Sequence, residues 1–434
     1  MINLAWPMVL GNMLQNMFNV VDMIFVGRLG PASIAAVSLC GMLMSITWTM
    51  LVGVAVGTTA LVARFYGSKD YRMAGFTGMQ SLSLGVIVAL IMVLLGSCLG
   101  KQILSLLGAK GQVLLEGDRY LKIVFIGSFC LILFFLCSSI MRGAGDSLTP
   151  MIVMVVCTTI NIGLDPLLIF GIWIFPPMGV RGAAVATVIS QAIGMVSALF
   201  ILSRGYTRIR LHWGSYRLDM NLIKRILKIA FPATMQGAIR SASGLVLMRI
   251  VAAYGVFALA GYGIGLRLDM IIMMPGWALG AATLTLVGQN LGANQPDRAE
   301  KSAWIATLLY IAILAVFGTV FFIWAGGVIG IFNRTPQVVT LGSEYIRVRT
   351  LSYVFLAMGL VMASALNGAG DAVSPMIILA VTLLGIQITL AFLLSKLMGL
   401  QTMGVWIAIA AAYTFQGIAM TIRFHAGRWK RHGV

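Results

Sequence analysis

Long apolar stretches, separated by short segments rich in charge, glycine or proline, follow one another along the whole chain. About 20 apolar residues are enough for a helix to cross the hydrocarbon core of a bilayer. A β-barrel would instead show short segments of alternating hydrophobicity, which this sequence lacks. The pattern therefore predicts twelve membrane-spanning helices, at residues 4–27, 34–62, 77–99, 120–141, 150–175, 182–203, 229–254, 257–288, 303–325, 346–367, 373–395 and 403–423.

The composition supports a membrane protein and excludes several other classes. Of the 434 residues, 60% are hydrophobic and only 10% are charged, whereas about a quarter of the residues in soluble domains are charged. The net charge of +18 does not indicate nucleic acid, because most cations lie between apolar stretches, where they meet lipid headgroups. The five cysteines and three histidines show no metal-ligand spacing, so we expect no tightly bound cofactor.

The loop charges predict how the chain crosses the membrane. With the N-terminus inside, the inside loops and tail carry 17 Lys and Arg residues and the outside loops carry 10. Because cytoplasmic loops are enriched in Lys and Arg, both termini are predicted to be cytoplasmic. We expect a multi-pass protein of the inner or plasma membrane, surrounded by lipid, monomeric and without a nucleic-acid partner.

The two halves of the chain repeat each other at an offset of 225 residues. One shift places Pro7 on Pro232, Tyr120 on Tyr345, and residues 143–146 on 368–371, which both read Gly-Ala-Gly-Asp. A single offset across five helices indicates an internal duplication. The predicted fold is an all-α integral membrane protein with two six-helix bundles related by a pseudo-two-fold axis, an arrangement on which alternating access can be built. The predicted parts are an amino lobe (1–203), a basic cytoplasmic linker (204–228), and a carboxy lobe with a short basic tail (229–434).

Two carboxylates stand out inside predicted helices, where an ionisable group costs roughly 2.5–3.5 kcal/mol on insertion scales. Asp22 shares a helix face with Gln15 and Asn19, and Asp165 follows Asn161 by one turn. Carboxylate and amide oxygens suit a hard monovalent cation such as Na⁺, and a proton equally well. These residues are therefore candidates for a coupling site, with a helix-pinning role as the alternative.

The repeat favours the coupling site over helix pinning. The 225-residue shift places Leu247 opposite Asp22 and Leu390 opposite Asp165, whereas a purely architectural role should persist in both halves. By the same criterion Asp146 and Asp371, which both halves keep, are predicted to form helix-end turns. Arg240, inside the seventh predicted helix, is a candidate gate or substrate contact.

The chain resembles the multidrug and toxic compound extrusion (MATE) transporters over essentially its full length. The residues that carry the resemblance form five segments in order: Asn19-Val20-Val21-Asp22 leading to Val26-Gly27-Arg28-Leu29-Gly30; Arg142-Gly143-Ala144-Gly145-Asp146-Ser147 with Pro150; Asn161-Ile162-Gly163-Leu164-Asp165-Pro166; Gly179-Val180-Arg181-Gly182-Ala183-Ala184-Val185-Ala186-Thr187; and Val287-Gly288-Gln289-Asn290-Leu291-Gly292-Ala293.

The resemblance implies a two-lobe antiporter that exports amphipathic, often cationic, drugs in exchange for Na⁺ or H⁺. It implies a cation or proton site at Asp22, Asn161, Asp165 and Thr187. Tyr120 also matches a family tyrosine and, with Gln15, Asn19, Gln236 and Arg240, is a candidate for the substrate cavity. One departure is that the seventh and tenth helices lack the acids that some members use for a second cation site.

Two functions other than drug export also match single features of the sequence. A flippase of the same superfamily for lipid-linked precursors would need a broad basic groove, for which Arg240 is the only deep candidate. An intramembrane aspartyl protease is suggested by Gly143-Ala144-Gly145-Asp146, but such an enzyme needs a second aspartate preceded by tyrosine, and this chain has no Tyr-Asp dipeptide. The sequence therefore predicts a transporter and not an enzyme.

Overall fold

The computed structural model describes residues 1–172, 175–212, 214 and 217–431, except for the side chains of Asn19 and Arg431. The described residues form helices joined by turns and short connections, with no strand among them. The helices are α1 (Ile2–Gly27), α2 (Pro31–Gly67), α3 (Tyr71–Leu106), α4 (Gly111–Gly143), α5 (Leu148–Phe170), α6 (Val180–Arg204), α7 (Met220–Ala252), α8 (Val256–Gly292), α9 (Pro296–Ile323), α10 (Ala325–Phe332), α11 (Pro336–Thr350), α12 (Tyr353–Gly368), α13 (Val373–Leu397) and α14 (Gln401–His425).

The predicted all-helical membrane fold is confirmed. Within the described chain, ten helices are long and apolar enough to cross a membrane, and α11 with α12 make an eleventh span bent by 59°. The first part of α7 is basic and its middle contains Gln236 and Arg240, so this helix is less apolar than the others. The helices also extend past the predicted ends, as α2 does to Gly67, because backbone hydrogen bonding continues after the apolar pattern stops.

Two further differences concern helix boundaries. The stretch predicted as a single helix at 346–367 is divided between α11 and α12, and the short helix α10 precedes it. In addition, α7 begins at Met220, inside the predicted linker 204–228. It begins there because the Asp219 carboxylate accepts hydrogen bonds from the backbone N–H groups of Asn221 and Leu222, at 2.9 and 3.1 Å.

The chain forms two compact units, Ile2–Ala230 and Phe231–Val434, the second also counting Met1. In the first unit α4 packs against α2, α3 and α6, while α1 packs against α5. In the second, α12 packs against α8, α9 and α14. Small residues allow the close approach of helices that lipid cannot drive together by the hydrophobic effect.

The Gly-Ala-Gly-Asp turns have the same construction in both units. Gly145 and Gly370 have φ values of +82° and +89°, which glycine adopts without steric cost. The Asp146 carboxylate accepts hydrogen bonds from the N–H and hydroxyl of Thr149 at 3.0 and 2.7 Å. Asp371 accepts the equivalent pair from Ser374, at 3.2 and 2.8 Å. Both aspartates therefore hold turns, as the repeat predicts, and neither is placed as a protease carboxylate.

The basic connection between α6 and α7 lies against the first turns of α3. The side-chain amide of Gln80 donates to the Arg217 carbonyl at 2.6 Å and accepts from the Asp219 N–H at 3.2 Å. A Cβ at Gly75 would lie 2.5 Å from the Arg210 carbonyl oxygen, so only glycine fits this contact. The backbone of the connection therefore contacts α3 at Arg210, Arg217 and Asp219.

Gly182 sets the distance between α6 and the end of α5. A Cβ at this position would lie 2.5 Å from the Leu168 carbonyl oxygen, which belongs to the backbone and cannot move aside cheaply. We expect Gly182→Ala to destabilise the protein by about 1–3 kcal/mol, the usual cost of overpacking. The melting temperature of the detergent-solubilised protein measures this.

The matched control for this variant is Gly163→Ala on α5, where an added Cβ meets nothing within 4 Å. Since alanine is the better helix former, this control should melt at or slightly above the wild-type temperature. Equal melting temperatures for the two variants would contradict the close contact at Gly182.

Asp371 carries a pH-dependent contribution to stability. Burial raises its pKa, but hydrogen bonds from Ser374 and Arg423, the latter at 2.7 Å, outweigh burial and hold the pKa below its usual value. The resulting stabilisation is present above the unfolded pKa of about 3.9 and is lost as the pH falls through the folded pKa. The difference in melting temperature between wild type and Asp371→Asn should therefore be constant near pH 7. It should disappear as the pH falls below about 4.

Asp146→Asn is the comparison for Asp371→Asn, because Asp146 makes the same turn but no ion pair in the described structure. Its effect on the melting temperature at pH 7 should be smaller. An Asp371→Asn difference that stays undiminished at pH 3 would show that the carboxylate charge contributes nothing.

Candidate functional site

Packing of α1 against α5 brings together three of the predicted coupling residues within the first unit. Asp22 is 9% exposed, and Asn161 and Asp165 are fully buried. The Asn161 side-chain amide donates to Asp165 Oδ1 at 3.4 Å, the contact that their one-turn spacing predicts. Asp165 also lies within electrostatic range of Asp22. The buried polar residues of the two helices therefore form one cluster.

Each of these three residues has a buried oxygen that no described group hydrogen-bonds. The oxygens are Asp22 Oδ1, Asn161 Oδ1 and Asp165 Oδ2. An unsatisfied buried polar atom costs about 1–3 kcal/mol, and more if it is charged, so native structures rarely keep one without a reason. Two carboxylates and one amide oxygen offer oxygen ligands only, which suits Na⁺, and each carboxylate can also take a proton.

The local sequence of α5 increases the number of oxygens near the cluster. Pro166 directly follows Asp165 inside the helix and has no N–H. The carbonyl oxygen of Ile162, four residues earlier, consequently loses its helical partner. An additional backbone acceptor therefore lies within a turn of both Asn161 and Asp165.

Tyr120 and Thr187 differ in how the structure relates them to this cluster. Tyr120, near the middle of α4, is buried and lies within electrostatic range of both Asp22 and Asp165. Thr187 is half-buried on α6, and no hydrogen bond joins its hydroxyl to Asp22 or Asp165 in the described structure. The structure therefore brings Tyr120 to the carboxylates, while the role of Thr187 stays a prediction.

A cavity in the first unit continues the polar stripe of α1 and α5 away from the carboxylates. Gln15 lines it, seven residues before Asp22, and so does Thr158, seven residues before Asp165. Seven residues correspond to about 10 Å along a helix. The remaining lining residues are aromatic, apolar or small and polar: Phe18, Trp48, Leu131, Phe134, Phe135, Met154, Cys157, Ser190 and Gln191. The side chain of Asn19, a further predicted cavity residue, lies outside the described part of the structure.

Thr158, Ser190 and Gln191 were not among the predicted cavity residues. Thr158 is 3% exposed and its hydroxyl has no hydrogen-bond partner. It stands three residues before Asn161, so the helix face that carries the two predicted residues already contained this signal. Ser190 and Gln191 show no such signal, because α6 is apolar or small on most of its positions.

In the second unit the structure places the two predicted cavity residues in different surroundings. Gln236 is buried, and its side-chain amide donates to Asn367 Oδ1 and to the Ala372 carbonyl, both at 3.1 Å. These bonds join α7 to the Gly-Ala-Gly-Asp turn. Arg240 is half-buried within electrostatic range of Tyr413 and forms no ion pair with any described residue.

Comparison with known proteins places these features in a family. The family model MatE matches residues 7–167 and 232–393, two segments that begin 225 positions apart. The chain is 28% identical, over all of its length and 93% of the relative's, to the probable multidrug resistance protein NorM of Thermotoga maritima. It is 30% identical to the FAD transporter of Shewanella oneidensis, with 96% of this chain and 92% of that protein covered.

Solved structures show the same fold. The crystal structure of MATE in the bent conformation matches with a TM-score of 0.91 and 24% identity, covering 98% of this chain and 94% of that one. An outward-facing MATE transporter of the MOP superfamily matches with a TM-score of 0.89 and 23% identity, over the same shares of the two chains.

The protein is therefore a multi-pass membrane transporter and not an enzyme. It belongs to the MATE family of multidrug efflux transporters, as the sequence motifs indicated. Since the relatives reported above are named as drug and FAD transporters, neither the flippase nor the protease is favoured.

The repeat provides a direct test of the cluster. The second unit has Leu247, Ile386 and Leu390 where the first has Asp22, Asn161 and Asp165. We expect the triple variant Asp22→Leu, Asn161→Ile, Asp165→Leu to fold with an unchanged or higher melting temperature, because it removes buried unsatisfied oxygens from sites where the repeat tolerates apolar residues.

The same variant should lose any stabilisation by the coupling ion. A ligand at 100 times its Kd stabilises a protein by roughly 2.7 kcal/mol, so wild type should melt several degrees higher with saturating Na⁺ or at low pH. Asp118→Asn is the control, because Asp118 pairs with Lys122 at 2.8 Å outside the cluster. A triple variant that still responds to the ion like wild type would show that the cluster does not bind it.

Proposed function

We propose that this protein is a secondary active antiporter that exports amphipathic, mainly cationic, compounds and imports Na⁺ or H⁺ at Asp22, Asn161 and Asp165. The observation that carries the proposal is the pair of buried carboxylates on α1 and α5, each with an oxygen that no group in the described part of the chain satisfies. We assign Thr187 to the same site on the family resemblance alone.

Neutralisation of these carboxylates supplies the driving force in this proposal. With neither a cation nor a proton, the cluster carries up to two negative charges in a region from which water is largely excluded, and this is costly. Binding removes the cost, but it drives transport only if it stabilises one conformation of the protein more than the other. A difference of about 2.7 kcal/mol between conformations shifts their ratio roughly a hundredfold.

The cavity of the first unit suits part of an amphipathic cation. Trp48, Phe134 and Phe135 present aromatic surface, and the Trp48 and Phe135 rings meet edge to face with centroids 5.0 Å apart. Aromatic faces attract organic cations, while Gln15 and Gln191 offer hydrogen bonds that fix orientation. We propose that the substrate and the coupling ion influence each other through α1 and α5, which carry residues of both sites.

The membrane arrangement is part of the proposal. We place the protein in the inner or plasma membrane with both termini in the cytoplasm, since 17 cations lie on the predicted inside and 10 on the outside. We propose a monomer that alternates access without a tightly bound cofactor and without a nucleic-acid partner.

A flavin nucleotide is the second candidate substrate. The Shewanella oneidensis relative is named an FAD transporter and is 30% identical to this chain. Half-buried Arg240 has no carboxylate partner among the described residues and could pair with a phosphate. This substrate is anionic, so a single competition assay separates it from the cationic class.

Everted membrane vesicles test both the coupling and the substrate class. We expect wild-type vesicles to accumulate a fluorescent cationic dye when a Na⁺ or a proton gradient is imposed. Asp22→Asn and Asp165→Asn should each reduce gradient-driven uptake at least tenfold, because neither amide can bind a proton or balance the charge of a cation. Asp118→Asn should transport like wild type.

Each alternative outcome has a definite meaning. Wild-type vesicles that respond to neither gradient, or an Asp22→Asn variant that remains fully coupled, would contradict the proposed site. Strong competition by FAD together with weak competition by organic cations would replace the drug substrate by the flavin nucleotide and leave the coupling site standing.

A further inference from the structure

The second unit contains a buried ion pair that drug export does not explain. Arg349 is 2% exposed, and its Nε donates to Asp269 Oδ2 at 3.1 Å. One terminal nitrogen of the guanidinium, Nη1, donates to the Ser352 hydroxyl at 2.9 Å. Asp269 Oδ2 also accepts a hydrogen bond from the Tyr345 hydroxyl at 2.6 Å. Arg349 is buried among α8, α11 and α14.

Aromatic rings complete the surroundings of this guanidinium. Its central carbon lies 3.9 Å from the centre of the Tyr413 ring, well within cation–π range. The Trp406 and Tyr345 rings meet edge to face at 5.0 Å, and Tyr262 stacks on Trp406 at 5.5 Å. A carboxylate, a hydroxyl and an aromatic face are the groups that recognise a guanidinium ion, and here they surround a buried one.

The first unit has no counterpart to this cage. Under the 225-residue shift, Arg349 corresponds to Val124 and Asp269 to Met44. Only Tyr345 keeps its residue type, as Tyr120. The cage is therefore a feature of the second unit and not a part of the shared architecture.

The cage lies next to a bend that the first half lacks. The tenth span bends by 59° between Thr350 and Tyr353, whereas the corresponding helix α4 continues without a break from Gly111 to Gly143. Arg349 lies in the last turn of α11, and Ser352 lies in the bend directly before α12. Their side chains bond to each other, and the Ser352 hydroxyl also donates to the Arg349 carbonyl at 2.8 Å. The guanidinium thus connects the bend to α8.

We propose that the second unit contains a guanidinium-binding cage, formed by Asp269, Ser352 and Tyr413, which the chain fills with its own Arg349, and that this tethered cation fixes the bend between α11 and α12. A tethered cation cannot dissociate, so the Asp269 carboxylate stays neutralised without Na⁺ or a proton. The proposal does not depend on the coupling site of the first unit.

Removal of the arginine side chain, followed by supply of a free guanidinium ion, tests the cage. We expect Arg349→Ala to lower the melting temperature of the purified protein by roughly 5 °C or more, since it leaves Asp269 buried and unpaired. Low millimolar methylguanidinium chloride should restore at least half of the loss, and the same concentration of NaCl should not.

Arg347→Ala is the matched control, because Arg347 lies on the same helix and is exposed. It should melt within about 1–2 °C of wild type, as surface substitutions usually do, and should not respond to methylguanidinium. The double variant Asp269→Leu, Arg349→Met removes both charges and should recover stability without any added ion.

Three results of these melting measurements would each contradict the cage. The cage is refuted if Arg349→Ala melts like Arg347→Ala, if methylguanidinium does not restore it, or if the double variant is as unstable as Arg349→Ala. Should Arg349→Ala fail to fold, its folded yield with and without methylguanidinium during expression gives the same decision. None of these measurements involves transport, so they remain valid even if coupling at Asp22 and Asp165 is disproved.

Discussion

A charge that is removed from water must be neutralised where it lies, and this constraint shapes both units of the protein. The cost of an unpaired buried ion is about several kcal/mol even after the protein relaxes, a large part of what stabilises a domain. Asp269 meets the constraint permanently through Arg349, at 3.1 Å. Asp22 and Asp165 have no basic partner among the described residues, and we propose that a cation or a proton neutralises them.

Each unit carries its buried polar residues at positions where the other unit has apolar residues. Where the first unit has Asp22, Asn161 and Asp165, the second has leucine or isoleucine, and where the second has Asp269 and Arg349, the first has Met44 and Val124. The duplicated scaffold itself needs neither set, because each unit folds with apolar residues at the other's polar positions. The turns at Asp146 and Asp371, which both units keep, are by contrast part of the scaffold.

The sequence predicted the helices and the fold class, because each rests on local periodicity or on the repeat. A one-turn spacing sufficed to place Asn161 beside Asp165. The surroundings of Arg349 could not be predicted in this way, since its partner Asp269 is 80 residues away and a hydropathy window counts both as polar. The bend at 350–353 was missed for a related reason. It contains neither proline nor glycine, and its stabilising side chain is fixed by tertiary contacts.

The ion pair Asp269–Arg349 lies in the second unit, and the unpaired carboxylates Asp22 and Asp165 lie in the first. This separation determines which unit an arriving cation can act on. A ligand shifts a conformational equilibrium only by the difference in its affinity for the two states, so a neutralised site such as Asp269 cannot transmit a cation gradient. If both units bound the coupling ion equally in both conformations, the gradient would do no work. In the proposed coupling, one unit with open oxygens and one with a tethered cation confine the action of the ion to α1 and α5, and the bend next to Arg349 stays the same with or without the ion.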